Sequence, residues 1–317
     1  MDFTPTMAVV IPVRNGLRFA SRQIAGIAAQ TRQPQQVLIV DSGSTDGSRE
    51  LYADVGYQVV QIDPATFDHG GTRNLGWKMC QTDIVLYLTH DAIPLDKRCF
   101  ERLCDQFVDP RIGIATGRQL PRAEAKAIER HARLYNYPAT SHQRSWPQAR
   151  ALGIRAIFNS NSFSAYRRAA LESLDGFPEG VIFGEDQVFS GRALLSGWTH
   201  AYVGDAAVEH SHGYSLVDEF RRYFDIGASH EHNLLLYQGF HNLSSEGRKF
   251  VISELQYLSR HAPLRIPEAM LRTALKLIGY RLGRREASLP LFARRHFAMQ
   301  PEFFLRQMLR EEVAGAR

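Results

Sequence analysis

Carboxylates and histidines at the ends of apolar runs are the residues through which this chain could do chemistry. The run Ile84-Val85-Leu86-Tyr87-Leu88 stops at Thr89-His90-Asp91, and Pro94 forbids an ordinary continuation of a strand. Residues 36–40 deliver Asp41 in front of Ser42-Gly43-Ser44. Glu185-Asp186 precede a helical stretch, and residues 199–208 lead to Glu209-His210-Ser211-His212. A carboxylate beside imidazoles can hold a divalent cation, and a second carboxylate can act as a general base. Each group also has a plainer reading: Asp41 and Asp91 as turn formers, Glu185-Asp186 as favourable charges at a helix N-terminus, the histidines as satisfied loop residues. Position links them. If the apolar runs are consecutive strands of one sheet, these groups lie outside the strands' carboxyl ends, where open α/β sheets bind ligands.

The elements needed to place them follow from apolar periodicity. Residues 7–13, 36–40, 57–62, 84–88, 112–117, 159–166 and 199–208 read as strands, the third alternating enough to lie near an edge. Helices are expected over 18–30, 48–55, 72–80, 97–107, 123–137, 168–174 and 187–196, with Gly197 capping the last. This βαβ rhythm implies the α/β class, with a doubly wound, mostly parallel, Rossmann-like sheet. Residues 118–155 break the rhythm and read as an insertion that shapes a substrate site. The loop His69-Gly70-Gly71-Thr72-Arg73-Asn74 feeds a helix whose first amides, with Arg73, could hold a phosphate. Glycine loops before helices also arise for geometric reasons alone.

After Leu216 the texture is all-helical, which divides the chain into a unit of residues 1–215 and a helical extension of residues 216–317. In the extension, Leu271, Leu275, Ile278 and Leu282 share one helical face and are expected to pack as core. Arg272, Lys276, Arg281, Arg284 and Arg285 would then form a solvated basic back. Docking on an anionic membrane is the other reading of that helix.

At 317 residues, 44% hydrophobic and 22% charged, the composition is that of an ordinary globular chain. The net charge of +5 permits an anionic partner without identifying one. Dispersed arginines without a stacking-aromatic pattern argue against nucleic acid. Cys80, Cys99 and Cys104 lack a CxxC spacing and read as reduced thiols of a cytoplasmic protein. The start, MDFTPTMAVVIPVRNG, has no basic segment before an apolar core, so it is not read as a secretory signal. No window reaches the ~18 uninterrupted apolar residues of a spanning helix.

In order, VLIVDSGSTDGS, HGGTRNLG, HDAIP, ESLDGFPEG with GEDQVFSGRALLSGW, and HSHGYS resemble the inverting glycosyltransferases of family 2, over residues 7–215. FDHGGTRN and THDAIP are most similar to bacterial rhamnosyltransferases that use dTDP-L-rhamnose. The resemblance implies a GT-A fold and an enzyme that moves L-rhamnose from dTDP-β-L-rhamnose to a hydroxyl of a cell-surface glycan precursor (O-antigen, lipopolysaccharide core or capsule). A UDP-sugar enzyme of the same fold is the alternative, and a non-catalytic partner protein with a degenerate site is another.

The same resemblance distributes roles. Pro12, Val13, Asn15, Asp41, Ser42 and Gly43 would border the base, with Asp41 accepting its imide N–H. His69, Arg73, Asn74, His90 and Asp91 would line the diphosphate and sugar. Asp91 matches the second aspartate of the family's DxD and would hold Mg²⁺ or Mn²⁺ with His210 or His212. Thr89 stands where the first DxD carboxylate is usual, so the metal site would rest on one carboxylate. Asp186 would be the catalytic base with Glu185 beside it, and Asn161, Ser162 and Trp198 would face the acceptor. The implied partners are a nucleotide-sugar donor and a glycan or lipid-linked acceptor, with contact to the inner face of the cytoplasmic membrane and a homo-oligomer as further expectations.

Overall fold

The structure is a computed structural model that describes residues 5–240 and 243–315. Its centre is a nine-stranded sheet built from β1 (Met7–Val13), β2 (Gln36–Asp41), β3 (Gln58–Gln61), β4 (Ile84–Leu88), β5 (Ile93–Pro94), β6 (Ile112–Leu120), β7 (His142–Arg144), β8 (Phe163–Arg167) and β9 (Thr199–Glu209). The strand order is β3-β2-β1-β4-β8-β6-β9-β5, with β7 paired to β9. As the alternation suggested, β3 is an edge. β1 and β4 are apolar on both faces because both are covered. Val9, Ile11, Leu86 and Leu88 belong to one core layer, and Ala8, Val10, Val85 and Tyr87 to the other.

β1, β2, β3 and β4 run parallel, as do β6 and β9, while β8 runs antiparallel between β4 and β6. This one reversal matters for the site. It leaves the carboxyl ends of β1, β2, β4, β6 and β9 on one edge of the sheet and brings the amino end of β8 to the same edge, with Leu88 opposite Phe163.

Helices α1 (Leu17–Ala28), α2 (Ser48–Asp54), α3 (His69–Met79), α4 (Cys99–Asp105), α5 (Ala127–Asn136), α6 (Trp146–Leu152), α7 (Arg168–Ser173) and α8 (Glu185–Leu195) belong to the sheet-bearing part. Then come α9 (Leu216–His232), α10 (Leu234–Gln238), α11 (Leu243–His261), α12 (Ile266–Gly283), α13 (Leu291–Phe297) and α14 (Pro301–Gly315). No helix among the described residues is long and apolar enough to cross a membrane. The three cysteines are buried and unpaired.

Four expectations change. Helix α3 starts at His69, not at 72, because the Asp68 side chain accepts the Gly71 N–H and caps it. β6 extends to Leu120, carrying Gln119 to the site edge. The alternating Asn159-Ser160-Asn161-Ser162 is a loop, with strand only from Phe163; its polar side chains bond one another and their neighbours instead of a ladder.

The fourth is α12, whose expected apolar face is core only in part: Leu282 packs against the cluster of Phe224 and Phe304 and Leu275 is half-buried, but the other two face outward. Leu271 and Ile278 are each 49% exposed. The inward face is small and polar: Cβ atoms at Gly279 and Gly283 would lie 2.5 Å and 2.0 Å from the carbonyl oxygens of Phe220 and Phe224 on α9. Helix backbones that close leave no room for leucine between them. Arg272 and Lys276, expected in solvent, turn inward to Glu219 of α9, at 3.2 Å and 3.4 Å.

Candidate active site

At the shared edge of the sheet lies a cavity of about 560 Å³ whose lining includes Thr89, Asn161, Glu185, Asp186, His210 and His212. Asp91 follows β4, and Gln23 of α1 holds its turn from behind, donating to the carbonyls of Thr89 and Ala92. His210 and His212 follow β9. His210 Nε2 is 3.3 Å from Asp91 Oδ1, and His212 Nδ1 is 3.7 Å from Asp91 Oδ2. One ligand atom from each of the three lies within 4.8 Å of the others.

The donor set suits a cation. Gln119 Oε1 accepts from Arg133 Nη1 at 2.6 Å and sits 2.8 Å from His210 Nδ1. With Oε1 as acceptor, Nδ1 carries the ring proton, and the bare Nε2 is left facing a carboxylate oxygen. Two acceptors meet there, which is the arrangement a metal ion resolves. Burial lowers both imidazole pKa values, that of His212 to about 3, so both rings are neutral at pH 7 and could ligate a cation. Burial alone would raise the Asp91 carboxyl, but its nearness to the His210, His212 and His90 rings outweighs it and holds Asp91 well below the usual range. Arg122 adds a 3.3 Å contact from Nη2 to Asp91 Oδ2. Thr89, in the first DxD position, has a buried Oγ1 with no hydrogen-bond partner among the described residues.

Glu185 and Asp186 open α8, where Gly184 at φ 78° makes the tight entry. Arg73 Nη1 of α3 lies 3.2 Å from Glu185 Oε1, and Asn161 Nδ2 donates to the same oxygen at 3.1 Å. Against the upward pull of burial, Arg73 and His69 hold Glu185 below its ordinary range. Asp186 receives no such cation. Its Oδ2 accepts the Asn161 N–H at 3.0 Å and its Oδ1 the Gln187 N–H at 2.8 Å. Burial first, and the Glu185 charge second, push its carboxyl up to about 7. Two adjacent carboxylates with pKa values pushed apart is the arrangement of a charged partner and a base poised near neutrality.

Asp41 ends β2, fully buried. Its Oδ1 accepts the N–H groups of Gly43 and Ser44 at 3.1 Å and 3.0 Å, and Oδ2 has no partner among the described residues. Asn15, at φ 52°, ties this loop to β1: its N–H donates to Ser44 Oγ and its Oδ1 accepts the Thr45 N–H. Ser42 Oγ donates to the Val13 carbonyl next to Pro12, and Gly43 faces Pro64, where a Cβ would come within 2.5 Å.

Some expected residues do other work. The helix start at His69-Gly70 is no open phosphate cradle, because Asp68 occupies it, accepting the N–H groups of Gly71 and Gly180. Gly70 is glycine because a Cβ would lie 2.0 Å from the Pro178 carbonyl oxygen. Asn74 spends its amide on Phe177, Glu179 and Trp77, pinning the 176–179 turn. His90 packs beside Gly16 and the Phe19 ring. Trp198 donates to Ser173 Oγ at the amino end of β9, a full strand from His210, and is not brought to the site. Asn161 and Ser162 are brought there.

Sequence reasoning missed Gln119, Arg122 and Arg133, and with them the contribution of the helical extension. Arg222, Asp225 and the segment from Met299 to Arg306 also line the cavity. Asp225 accepts the Met299 and Gln300 N–H groups, and burial pushes its carboxyl up to about 8. Gln300 Nε2 lies 2.9 Å from His69 Nε2 and donates to the Ile182 carbonyl. For Gln119 and Arg122 the signal was available, since they sit at and just past the carboxyl end of a strand in the same rhythm as the others. For the extension there was none. A second cavity of about 680 Å³ shares Arg133, Tyr137, Phe183, His212 and Arg222 with the first and opens toward α9 and α12.

Comparison with known proteins agrees with this geometry. Residues 8–175 match the family model described as "Glycosyl transferase family 2". The chain is 38% identical over 302 residues to the O-antigen chain rhamnosyltransferase WbaN of Salmonella anatum, covering 95% of this chain and 96% of that protein. It is 39% identical over 300 residues to the O-antigen chain rhamnosyltransferase RfbN of Salmonella typhimurium, covering 94% and 96%. Among solved structures, the mannosyltransferase PcManGT from Pyrobaculum calidifontis, in complex with GDP-Man and Mn²⁺, superposes with a TM-score of 0.55 at 18% identity, over 96% of this chain and 86% of that one. That likeness shows the fold, which is GT-A. Matched over more than half its length by the family and nearly end to end by two relatives, the chain belongs to glycosyl transferase family 2.

Proposed function

We propose that this enzyme transfers L-rhamnose from dTDP-β-L-rhamnose to a hydroxyl of a cell-surface glycan precursor, with inversion to the α-linkage. The observation that carries the chemistry is Asp186, a carboxyl pushed up to about 7 on the wall of the cavity. An acceptor O–H gives its proton to an Asp186 oxygen as that oxygen atom of the acceptor attacks the anomeric carbon. The bond from that carbon to the diphosphate breaks, and the nucleoside diphosphate leaves with the electron pair. Glu185, held charged by Arg73, keeps the Asp186 proton affinity high enough for this task. Asp91, His210 and His212 would hold a divalent metal, which neutralises charge on the leaving diphosphate. Two imidazoles favour Mn²⁺ over Mg²⁺.

Asp41 Oδ2 is an acceptor in want of a donor, and the imide N–H of thymine supplies one. Asp41 is fully buried, so the base reaches it when the adjoining turn shifts. Uracil carries the same N–H, which makes a UDP-sugar the second reading. The rhamnose assignment rests on the two relatives, whose names state that activity over nearly the whole chain. Residues 1–215 form the catalytic unit in this reading, and 216–317 an extension that contacts the acceptor. We place the enzyme in the cytoplasm, peripheral on the inner face of the cytoplasmic membrane.

Thermal unfolding with a panel of nucleotide sugars tests the donor. A ligand at a hundred times its Kd stabilises by about 2.7 kcal/mol. dTDP-L-rhamnose is expected to raise the midpoint more than UDP- or GDP-sugars do. Protection by a UDP-sugar and none by dTDP-L-rhamnose moves the assignment to the second reading; protection by neither removes both.

A further inference from the structure

Helix α12 buries Ala269 and packs Leu282 inward, yet it also turns charged residues inward and an apolar stripe outward. Its inward side carries Glu268, Arg272 and Lys276, which line the second cavity. Its outward side carries Pro267, Met270, Leu271, Ala274, Leu277 and Ile278, all exposed. At 100° per residue these six fall within one stripe about 120° wide. Leu264, just before the helix, is 94% exposed, and Met270 is 62% exposed. The stripe is a continuous apolar row along a helix of about 27 Å. The close contact of α12 with α9 through Gly279 and Gly283 fixes this orientation, so the row cannot be turned inward by repacking.

Charge decides what covers it. Arg281 and Arg285 continue the same row, and Arg260, Arg265 and Arg295 are exposed before and after it. The two acids between residues 260 and 296 are both engaged: Glu268 pairs with Arg265 and Arg272, and Glu286 is buried against His232 and Arg294. Arg265 pairs with Glu268 and Arg295 with the exposed Glu302, while Arg281 and Arg285, on the row itself, have no acidic partner among the described residues, so the charge on the row is positive. A second copy packed with its α12 parallel about a two-fold axis would set Arg281 and Arg285 against their own copies. A bilayer with anionic headgroups meets both features at once, taking the apolar row into the headgroup boundary and the arginines onto lipid phosphates.

We propose that the outward face of α12 is the surface by which this enzyme docks on an anionic membrane. The inference deepens the peripheral placement above and rests on it. It also gives the second cavity a location. The side chains of that cavity sit on the opposite side of the same helix, one helix diameter of about 10 Å from the lipid. Arg265, at the membrane end of the cavity lining, is about half exposed on its side chain. An acceptor anchored in the bilayer would enter there.

The test is flotation of the full-length protein with vesicles of phosphatidylethanolamine and phosphatidylglycerol in equal parts, and with vesicles of phosphatidylcholine alone. The native protein is expected to float with the first and not the second, and to be released by salt. The pair Leu271→Glu with Ile278→Glu should abolish flotation, and Arg281→Gln with Arg285→Gln should weaken it on the order of 30-fold. Val108→Glu, at an exposed apolar position beyond α4, should change nothing. All four positions, three on α12 and Arg285 two residues past its end, are exposed, and an unchanged thermal midpoint confirms that each variant is folded. Flotation of both α12 variants like the native protein overturns the assignment of this face while leaving the membrane placement standing. No flotation of the native protein on either vesicle overturns the placement itself. Self-association lost in Leu271→Glu with Ile278→Glu, without flotation, assigns the face to a second copy instead.

Discussion

Asp186→Asn separates the proposed base from every other feature of the site. Both oxygens of Asp186 accept backbone N–H groups, from Asn161 and Gln187. The amide of asparagine can keep one of these bonds, and its NH₂ faces a donor at the other. That mismatch costs on the order of 1–3 kcal/mol, opposed by the removal of a buried charge, so a folded variant is expected. A general base contributes on the order of 10²–10⁴ to the rate, and transfer should fall by that factor with donor binding retained. The pH profile carries the sharper test. Because burial and Glu185 push the Asp186 carboxyl up to about 7, the native enzyme should lose activity as pH falls through about 7 and the base takes up its proton. The residual activity of Asp186→Asn should show no such limb. Glu185→Gln removes the neighbouring charge, lowers the proton affinity of Asp186 and should move the limb to lower pH. Stability follows the same group. The native state binds the Asp186 proton more tightly than the unfolded chain does, so its contribution to stability is lost as pH rises from the ordinary carboxylate range to about 7. Asp186→Asn should lack that loss in urea titrations across the window. Near-native transfer by the variant, with the same acid limb, would refute the assignment.

Asp41→Asn should reverse the preference for the base. Its oxygen must stay on the Gly43 and Ser44 N–H groups, which turns the NH₂ toward the imide N–H. Thymidine and uridine diphosphates should bind roughly tenfold to hundredfold more weakly by calorimetry, at about 1.5–3 kcal/mol for a lost charged hydrogen bond. Cytidine diphosphate, with an acceptor at that ring position, should gain relative to them; unchanged affinity for thymidine diphosphate rejects the role of Asp41. Asp91→Asn removes the single carboxylate of the metal set and should weaken Mn²⁺ binding at least tenfold by electron paramagnetic resonance. Transfer by the native enzyme should be lost in excess chelator and restored by Mn²⁺, and full activity in chelator would take the metal out of the reaction.

Much of the sheet was legible in the sequence, because a strand covered on both faces must be apolar throughout and because strand, turn and helix recur in fixed order. Residues 84–88 announce β4 by this rule, and the carboxylates and histidines that end such runs mark the catalytic edge. The loop 159–162 was misread because alternation of polar residues looks the same whether a ladder or a network of side chains satisfies it. Gln119 was missed because β6 runs three residues further than the stretch expected, residues 112–117. What the sequence by itself determined is therefore the α/β class and the groups at the strand ends, through local periodicity and turn chemistry. Only the tertiary structure decided the rest. Partnering by Arg73 and Asn161 sets two adjacent carboxylates apart, Glu185 as a charged neighbour and Asp186 as the proposed base. Close contact of α12 with α9 at Gly279 and Gly283 sends Leu271 and Ile278 outward and Arg272 and Lys276 inward. These contacts join residues 112 positions apart (Arg73 and Glu185), 24 apart (Asn161 and Glu185) and 59 apart (Gly279 and Phe220), and local pattern holds no record of that.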